Sequence, residues 1–342
     1  MDSPYSPLEF SLLNDWQRDF PIVARPFARL GEALHDSLKV GADETAVLAT
    51  LQRLQRRGAI SRVGAVLAPR RFGASTLAAL AAPAEDIERI AALVSARPQV
   101  NHNYQREHRY NLWFVATAAD SATLAQTLRA IEQETGCRVI SLPLENEYHI
   151  DLGFDLHSTH KAPVPAAGTP PREPDAAEKR LIAALQPGLE LVPQPFARLG
   201  DRVGMDQAEV LARIAGWLDE GLIKRFGVVV RHHELGYRAN AMAVFDLPAT
   251  EVDRVGLQLA AEPGVTLCYR RRRSLPEWPY NLYCMVHGRS REDAQPVIER
   301  LGRIAGQPGQ VLFSTRRFKQ CGARYFAETA APACAAKAAA DA

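Results

Sequence analysis

The hexapeptide PFARLG occurs twice, at Pro26–Gly31 and, letter for letter, at Pro195–Gly200. Matches around it follow in the same order in both places. AVLATLQRLQRRGAISRVGAVL (Ala46–Leu67) lies against EVLARIAGWLDEGLIKRFGVVV (Glu209–Val230), which sets Gly58 on Gly221 and Gly64 on Gly227. PQVNHNYQREHRYNLWF lies against PGVTLCYRRRRSLPEWPYNLYC, and RVISLPLENEYHIDLGF against QVLFSTRRFKQCGARYF. Ordered matches on this scale mean a duplication into two homologous halves of roughly 160 residues, far longer than a solenoid repeat. Each half must therefore adopt the same fold.

Both halves open with three helical segments, in the first half roughly Pro7–Asp19, Pro26–Leu34 and Asp43–Arg57. Asp43 suits an N-cap and Gly58 a C-cap. The short alternating run ISRVGAVL and a turn at Pro69–Gly73 follow, which is the plan of a winged helix-turn-helix. The rest reads strand, helix, strand, strand, helix, strand, the order of a ferredoxin-like βαββαβ unit. The expected class is α+β, a tandem duplication of winged helix plus ferredoxin-like domain. The boundaries this predicts are 1–73 and 74–156 for the first half, a linker over 157–175, then 176–237 and 238–327, with an Ala-rich frayed tail over 328–342. The linker is rich in Pro, Ala and polar residues without apolar periodicity, as a semi-rigid connector is.

Composition narrows the function classes. Forty-one Lys and Arg against 39 Asp and Glu leave a net charge of +2, so any anion must be held by a local cluster. No apolar run approaches the roughly 20 residues of a membrane span, and MDSPYSPLEF does not read as a secretory signal. Five cysteines without a CxxC suggest neither a disulfide framework nor a zinc site, so a cytoplasmic location is expected. No nucleotide or hydrolase motif is present.

A winged helix followed by a ferredoxin-like domain resembles the Lrp/AsnC regulators. HNYQREHRYNLWF at His102–Phe114, HELGYRANAMAV at His233–Val244, CYRR…WPYNLY at Cys268–Tyr283 and STRRFK at Ser314–Lys319 resemble more specifically the siroheme decarboxylase family. In that family two Lrp/AsnC-like subunits pair to remove carbon dioxide from two acetate arms of siroheme, giving didecarboxysiroheme. Here both subunit types are joined, as in the fused form of heme d1 biosynthesis. The resemblance implies a lyase needing no cofactor beyond the substrate's own iron tetrapyrrole. It also implies a pseudo-dimer within one chain, compatible with a homodimer and with other heme d1 biosynthesis proteins as partners, and no specific DNA binding or membrane association.

Such a substrate calls for an apolar slot, several cations and a proton donor. The run Arg270–Arg273 offers planar forks for carboxylates, with Arg270, Arg271 and Arg273 joined by Arg106 as the expected substrate contacts. Tyr104, Trp113 and Tyr269 offer ring faces. Histidine is the default donor near neutral pH, and the candidates are His102, His108 and His149. His102, Tyr104 and Arg106, spaced by two, share one face of an extended strand. His102 also suits an axial ligand of the substrate iron. His35, His157 and His160 are expected to face solvent. In the second half His102 has Leu267 as its counterpart, where the family's second subunit type carries histidine in an HCY motif. One working site per chain is therefore expected. The alternatives are a DNA-binding regulator of the Lrp/AsnC class, supported by Arg53, Arg56, Arg57 and Arg62 around the first recognition helix, and a non-catalytic heme carrier. Asp219 and Glu220 in the second copy speak against the regulator.

Overall fold

The computed structural model describes residues 5–38, 42–68, 71–150, 174–231 and 239–326. The linker over 157–173, the tail over 328–342, His157, His160 and residues 233–238 lie outside them. The first half runs α1 (Pro7–Asn14), α2 (Pro26–Leu38), α3 (Glu44–Arg56), β1 (Ile60–Leu67), β2 (Ala74–Leu80), α4 (Ile87–Ala96), β3 (Val100–Arg106), β4 (Leu112–Ala118), α5 (Ser121–Thr135) and β5 (Val139–Ile150). The second repeats the order as α6 (Ala176–Leu185), α7 (Pro195–Val203), α8 (Gln207–Asp219), β6 (Ile223–Val230), β7 (Ala239–Phe245), α9 (Val252–Ala261), β8 (Val265–Arg271), β9 (Leu282–Gly288), α10 (Arg291–Ala305) and β10 (Gln310–Gln320). The Asp43 side chain caps α3 by accepting from the Ala46 amide, and Gly58 just beyond it has φ +79°, the left-handed turn a side chain resists. Among the described residues no helix is long and apolar enough to cross a membrane.

The two ferredoxin-like sheets have the strand orders β3-β4-β2-β5 and β8-β9-β7-β10, and each ends where the other begins. β5 pairs antiparallel with β8, and β10 with β3, so the eight strands close into one barrel. Closure removes both pairs of exposed strand edges, which would otherwise be free to pair with other chains. Strand alternation then sorts the apolar residues. Ala78, Leu80, Phe114 and their neighbours pack under α4 and α5, and Ala243, Phe245 and Cys284 under α9 and α10. Leu77, Ala79, Trp113, Met242, Tyr283 and Leu312 fill the lumen from both halves.

Two sequence expectations are corrected here. Among the described residues the strands read as wings close no hairpin within their own half. β1 pairs with β6 across the halves, with Gly64 opposite Gly227, and the helices of both halves share one core in which Phe27, Leu51, Phe196 and Trp217 are buried. A two-stranded hairpin alone is marginal in water, and this pairing gives each lone strand a partner and an apolar backing. The letter match of the last strands is also slipped by two. Leu144 faces Arg271 as Ser314 faces Arg106, so Leu144 and Ser314 are equivalent, and His149 corresponds to Lys319 rather than Cys321. Matching bulges in β5 and β10 keep this registration.

Candidate functional site

Asn103 donates to the Ala91 carbonyl at 3.2 Å and to Ser95 Oγ at 3.0 Å, both on α4. Alternation then turns His102, Tyr104 and Arg106 the other way, into the lumen. The His102 and Tyr104 rings stack at 6.1 Å with 14° between planes, and the Arg106 guanidinium lies 5.8 Å from the Tyr104 centroid. Across the seam, β10 sets Gln320 opposite His102 and Arg317 opposite Tyr104, and Arg317 donates to Gln320 Oε1 at 3.0 Å. Burial, with the positive charge of Arg62 adding to it, pushes the His102 imidazole down to about 4. It is neutral at pH 7.

Arg106 does not extend a free fork. Burial lowers it to about 10, and it donates to the Leu312 carbonyl at 2.9 Å and to Asn240 Oδ1 at 3.2 Å. Asn240 passes the network to His287 Nε2 at 3.0 Å, and His287 Nδ1 meets Thr266 Oγ1 at 2.8 Å. Arg271, its counterpart, donates to the Leu142 carbonyl at 2.9 Å and lies 4.5 Å over the Tyr269 ring. Tyr269 in turn stacks on Tyr283 at 5.7 Å.

The four consecutive arginines form no common rim. Arg271 faces the lumen while Arg270 points away from it, because neighbours on a strand point opposite ways, and Arg272 and Arg273 lie beyond the end of β8. Arg270 pairs outside with Glu145 at 2.9 Å and Asp253 at 3.4 Å, and Arg272 with Glu145 at 3.7 Å. Arg273 is held by Asp246 and by the Pro279 and Leu247 carbonyls, both at 2.6 Å. Trp113 offers no open ring face either. It is buried, donates to the Tyr110 carbonyl at 2.6 Å and packs 4.9 Å from Trp278, which plugs the lumen at the β3–β4 and β8–β9 loops.

The three histidines are not together. His108 lies beyond the far end of β3, its Nδ1 accepting from the Tyr110 amide at 3.0 Å and its ring edge-on to Trp278 at 5.3 Å. Burial and the neighbouring Arg109 lower its pKa. Four residues of strand, about 13 Å, already separate His102 from Arg106. His149 is buried on β5 opposite Cys268, at the β5–β8 seam across the barrel. His35 is exposed, as expected.

The residue that sequence reasoning misplaced is Arg62. Set among phosphate-reading cations on paper, it turns inward from β1 toward His102 and packs against the backbone of Gly322. Burial lowers it to about 10. The signal lay in the repeat, since ISRVG and IKRFG carry an arginine in the same register, Arg62 and Arg225. The neighbours that made a DNA face plausible are partly neutralised, as Arg53 and Arg57 both reach Glu9, at 3.2 and 3.3 Å.

A strap, Cys321–Phe326, crosses this end of the barrel to reach the helical layer. Cys321 N donates to the Asn101 carbonyl at 2.8 Å, Thr117 Oγ1 to the Arg324 carbonyl at 3.1 Å, and Gln186 Nε2 to the Phe326 carbonyl at 3.0 Å. On either side of Gln186 lie a cavity of about 60 Å³ bounded by Arg62, Ala65, Gln186 and Ala323, and one of about 360 Å³ bounded by Gln99, Thr123, Arg324 and Phe326.

Comparison with known proteins bears on this arrangement. The AsnC-like ligand binding domain family matches residues 71–149 and 234–319, and the siroheme decarboxylase NirDL-like HTH domain family matches 9–60 and 178–224. The siroheme decarboxylase NirDL subunit of Paracoccus denitrificans (strain Pd 1222) is 45% identical over 330 residues, 95% of this chain and 98% of that one. A crystal structure of the siroheme decarboxylase NirDL superposes with a TM-score of 0.68 at 27% identity, covering 94% of each chain. A second, in co-complex with an iron-uroporphyrin III analogue, gives a TM-score of 0.67 at 26% identity, again with 94% of each chain covered.

Proposed function

This chain belongs to the siroheme decarboxylase NirDL family, and we propose that it carries out its reaction at one end of the barrel, around the stacked His102 and Tyr104, with Arg62 brought near by the strap that follows Gln320. The activity is removal of carbon dioxide from two acetate arms of siroheme to give didecarboxysiroheme, a step of heme d1 biosynthesis, which makes the enzyme a carboxy-lyase. The single observation that carries this reading is the 45% identity, over 95% of the chain and through both halves, to a named siroheme decarboxylase subunit. Its setting is the cytoplasm, and siroheme is its partner molecule.

Each loss breaks the bond between an arm's methylene and its carboxylate. The bonding electrons pass to the arm carbon, where the conjugated macrocycle can delocalise them, and carbon dioxide departs. One proton then completes the methyl group. His102 is the group placed to deliver it. In the free chain the imidazole is neutral, depressed to about 4 by burial and by Arg62. A carboxylate arriving beside it adds the opposite influence, since a nearby negative charge favours the imidazolium. The substrate thus raises the donor's pKa toward the working pH. Tyr104, stacked on His102, fixes the ring plane. Arg106 is a positioning residue, its N–H groups turned to the protein's own oxygens.

On its lumen side the β5–β8 seam lacks this equipment, since its histidine, His149, stands opposite Cys268, whose Sγ reaches the Gly256 carbonyl of α9. Leu267 stands where His102 would, and a leucine neither donates a proton nor ligates iron. Arg225, the counterpart of Arg62, donates to the carbonyls of Gln17 and Val228. Both acetates are therefore processed at one seam, in sequence. A DNA-binding role is not favoured, because the strands a regulator would use as wings are paired to each other.

Anaerobic incubation of the purified chain with siroheme, followed by mass spectrometry of the pigment, tests the proposal. Loss of two carbon dioxide masses without added metal or nucleotide is expected. Bound pigment of unchanged carboxyl count would overturn it and leave the heme-carrier reading.

A further inference from the structure

Resting on that reading, we propose that Arg62 anchors the carboxylate of the acetate arm under attack, in the small cavity beneath the Cys321–Phe326 strap, one arm at a time. The argument begins with how the arginine is held. A Cβ built on Gly188 would lie 2.7 Å from Arg62 Cβ, and one on Gly322 would lie 3.0 Å from its Nη1. Two glycines, in the turn after α6 and in the strap, thus let the backbone close on this side chain from both sides. The cation is fixed rather than roaming.

It is also undersupplied with acceptors. A guanidinium carries five N–H donors. Arg62 Nη2 donates to the Ala65 carbonyl at 3.1 Å, while the buried Nε–H has no hydrogen-bond partner among the described residues. Cys321, at the start of the strap, is the neighbour whose thiol sits beside it. A buried charge with so few partners is costly unless something pairs with it. A carboxylate matches the planar fork with two parallel hydrogen bonds.

The second half supplies an internal control. Arg225 Nη1 donates to the Val228 carbonyl at 3.3 Å, as Arg62 does to Ala65, and donates again to the Gln17 carbonyl. Capping boxes at Ser6–Glu9 and Asp175–Glu178 register α1 on α6, making Gln186 the counterpart of Gln17. Among the described residues Arg62 makes no matching bond to the Gln186 carbonyl, and the Gln186 side chain ties down the strap, its Oε1 accepting from the Tyr325 amide at 2.5 Å and its Nε2 donating to the Phe326 carbonyl at 3.0 Å. At Arg62 there is instead a cavity of about 60 Å³. Nε is alike in the two halves, but the terminal nitrogens differ: they meet two backbone carbonyls in the second half, and one carbonyl beside a cavity in the first, the half that has the histidine.

The size of the site fits this occupant. At about 60 Å³ the cavity is small, and a terminal carboxylate is a compact group to place in it. The tip of an arm fits while the ring stays outside. The ligand class is a short carboxylate arm, and selection is against pigments that lack it.

Absorbance titration of the full-length chain with siroheme and, separately, with didecarboxysiroheme tests this, because the product has lost the arms in question. Arg62→Gln should weaken siroheme binding about tenfold or more, the loss of a charged hydrogen-bonded pair, and leave product binding within about twofold. Arg62→Lys, which keeps the charge without the fork, should recover part of the loss. Ala323→Leu, which fills the cavity and leaves Arg62 in place, should reproduce the selectivity. Equal weakening toward both pigments in these variants, or no change toward either, would overturn the proposal. The readout needs no turnover. A wild-type chain that binds siroheme but releases no carbon dioxide would sink the functional reading alone.

Discussion

The Arg106 guanidinium of the first half donates to the Leu312 carbonyl of the second at 2.9 Å. The bond crosses a seam of the barrel between strands far apart in sequence, and Arg271 repeats it at the other seam with Leu142, also at 2.9 Å. These arginines clasp the halves. Replacing either by Ala leaves buried carbonyls short of a donor and should cost roughly 1.5–3 kcal/mol per charged hydrogen bond. Urea denaturation of Arg106→Ala and Arg271→Ala measures it. Comparable losses in both are expected. A loss in siroheme affinity alone, at unchanged stability, would instead make them ligand contacts.

The helical layer has its own clasp. A Cβ on Gly227 would lie 2.4 Å from the Trp16 carbonyl oxygen and 2.5 Å from that of Gln17. Backbone stands on both sides of that clash, so it can be relieved only by separating β6 from the turn after α1. Gly227→Ala should destabilise the chain by about 1–3 kcal/mol, the usual cost of overpacking. A chemical denaturation midpoint equal to wild type would show that the two elements part easily.

Acid should reveal His102. Its pKa falls from the ordinary 6.5 to about 4 on folding, through burial and Arg62. The unfolded chain then binds a proton below pH 6.5 that the folded imidazole refuses until about pH 4. Stability that this group contributes is present above pH 6.5 and drains away as pH falls through that window. The loss of folding free energy between pH 7 and pH 5 should be smaller for His102→Leu than for wild type, by urea denaturation at each pH. Equal losses would mean that the ring is already solvated in the native state.

How much of this was readable beforehand depended on range. The repeat, the capped helix at Asp43 and the face shared by His102, Tyr104 and Arg106 are properties of neighbouring residues, and periodicity shows them. What strands of different halves do to one another is not local. Nothing in ISRVGAVL states that its partner is IKRFGVVV rather than the next strand of its own half. RVI and QVL match as letters two residues out of structural register, a slip already present at Ile140 and Gln310, and this is why His149 met the wrong counterpart. The arginine run misled because four adjacent charges look like one patch, whereas a strand sends Arg271 inward and Arg270 outward. Arg62 was hidden by its place beside a recognition-like helix, since its direction is set by Gly188 and Gly322, distant in sequence.

The central claim is that one seam, organised by His102, performs both decarboxylations, and its most direct test is the rate at which siroheme loses carboxyl groups in rapidly quenched anaerobic reactions of wild-type, His102→Ala and Leu267→His chains. General acid catalysis contributes on the order of 10²–10⁴-fold. The account predicts that His102→Ala lowers turnover by about that factor with the fold intact, that Leu267→His leaves the rate near wild type, and that a singly decarboxylated pigment accumulates early in the wild-type reaction. Wild-type rates in His102→Ala would contradict it and move the proton donor elsewhere.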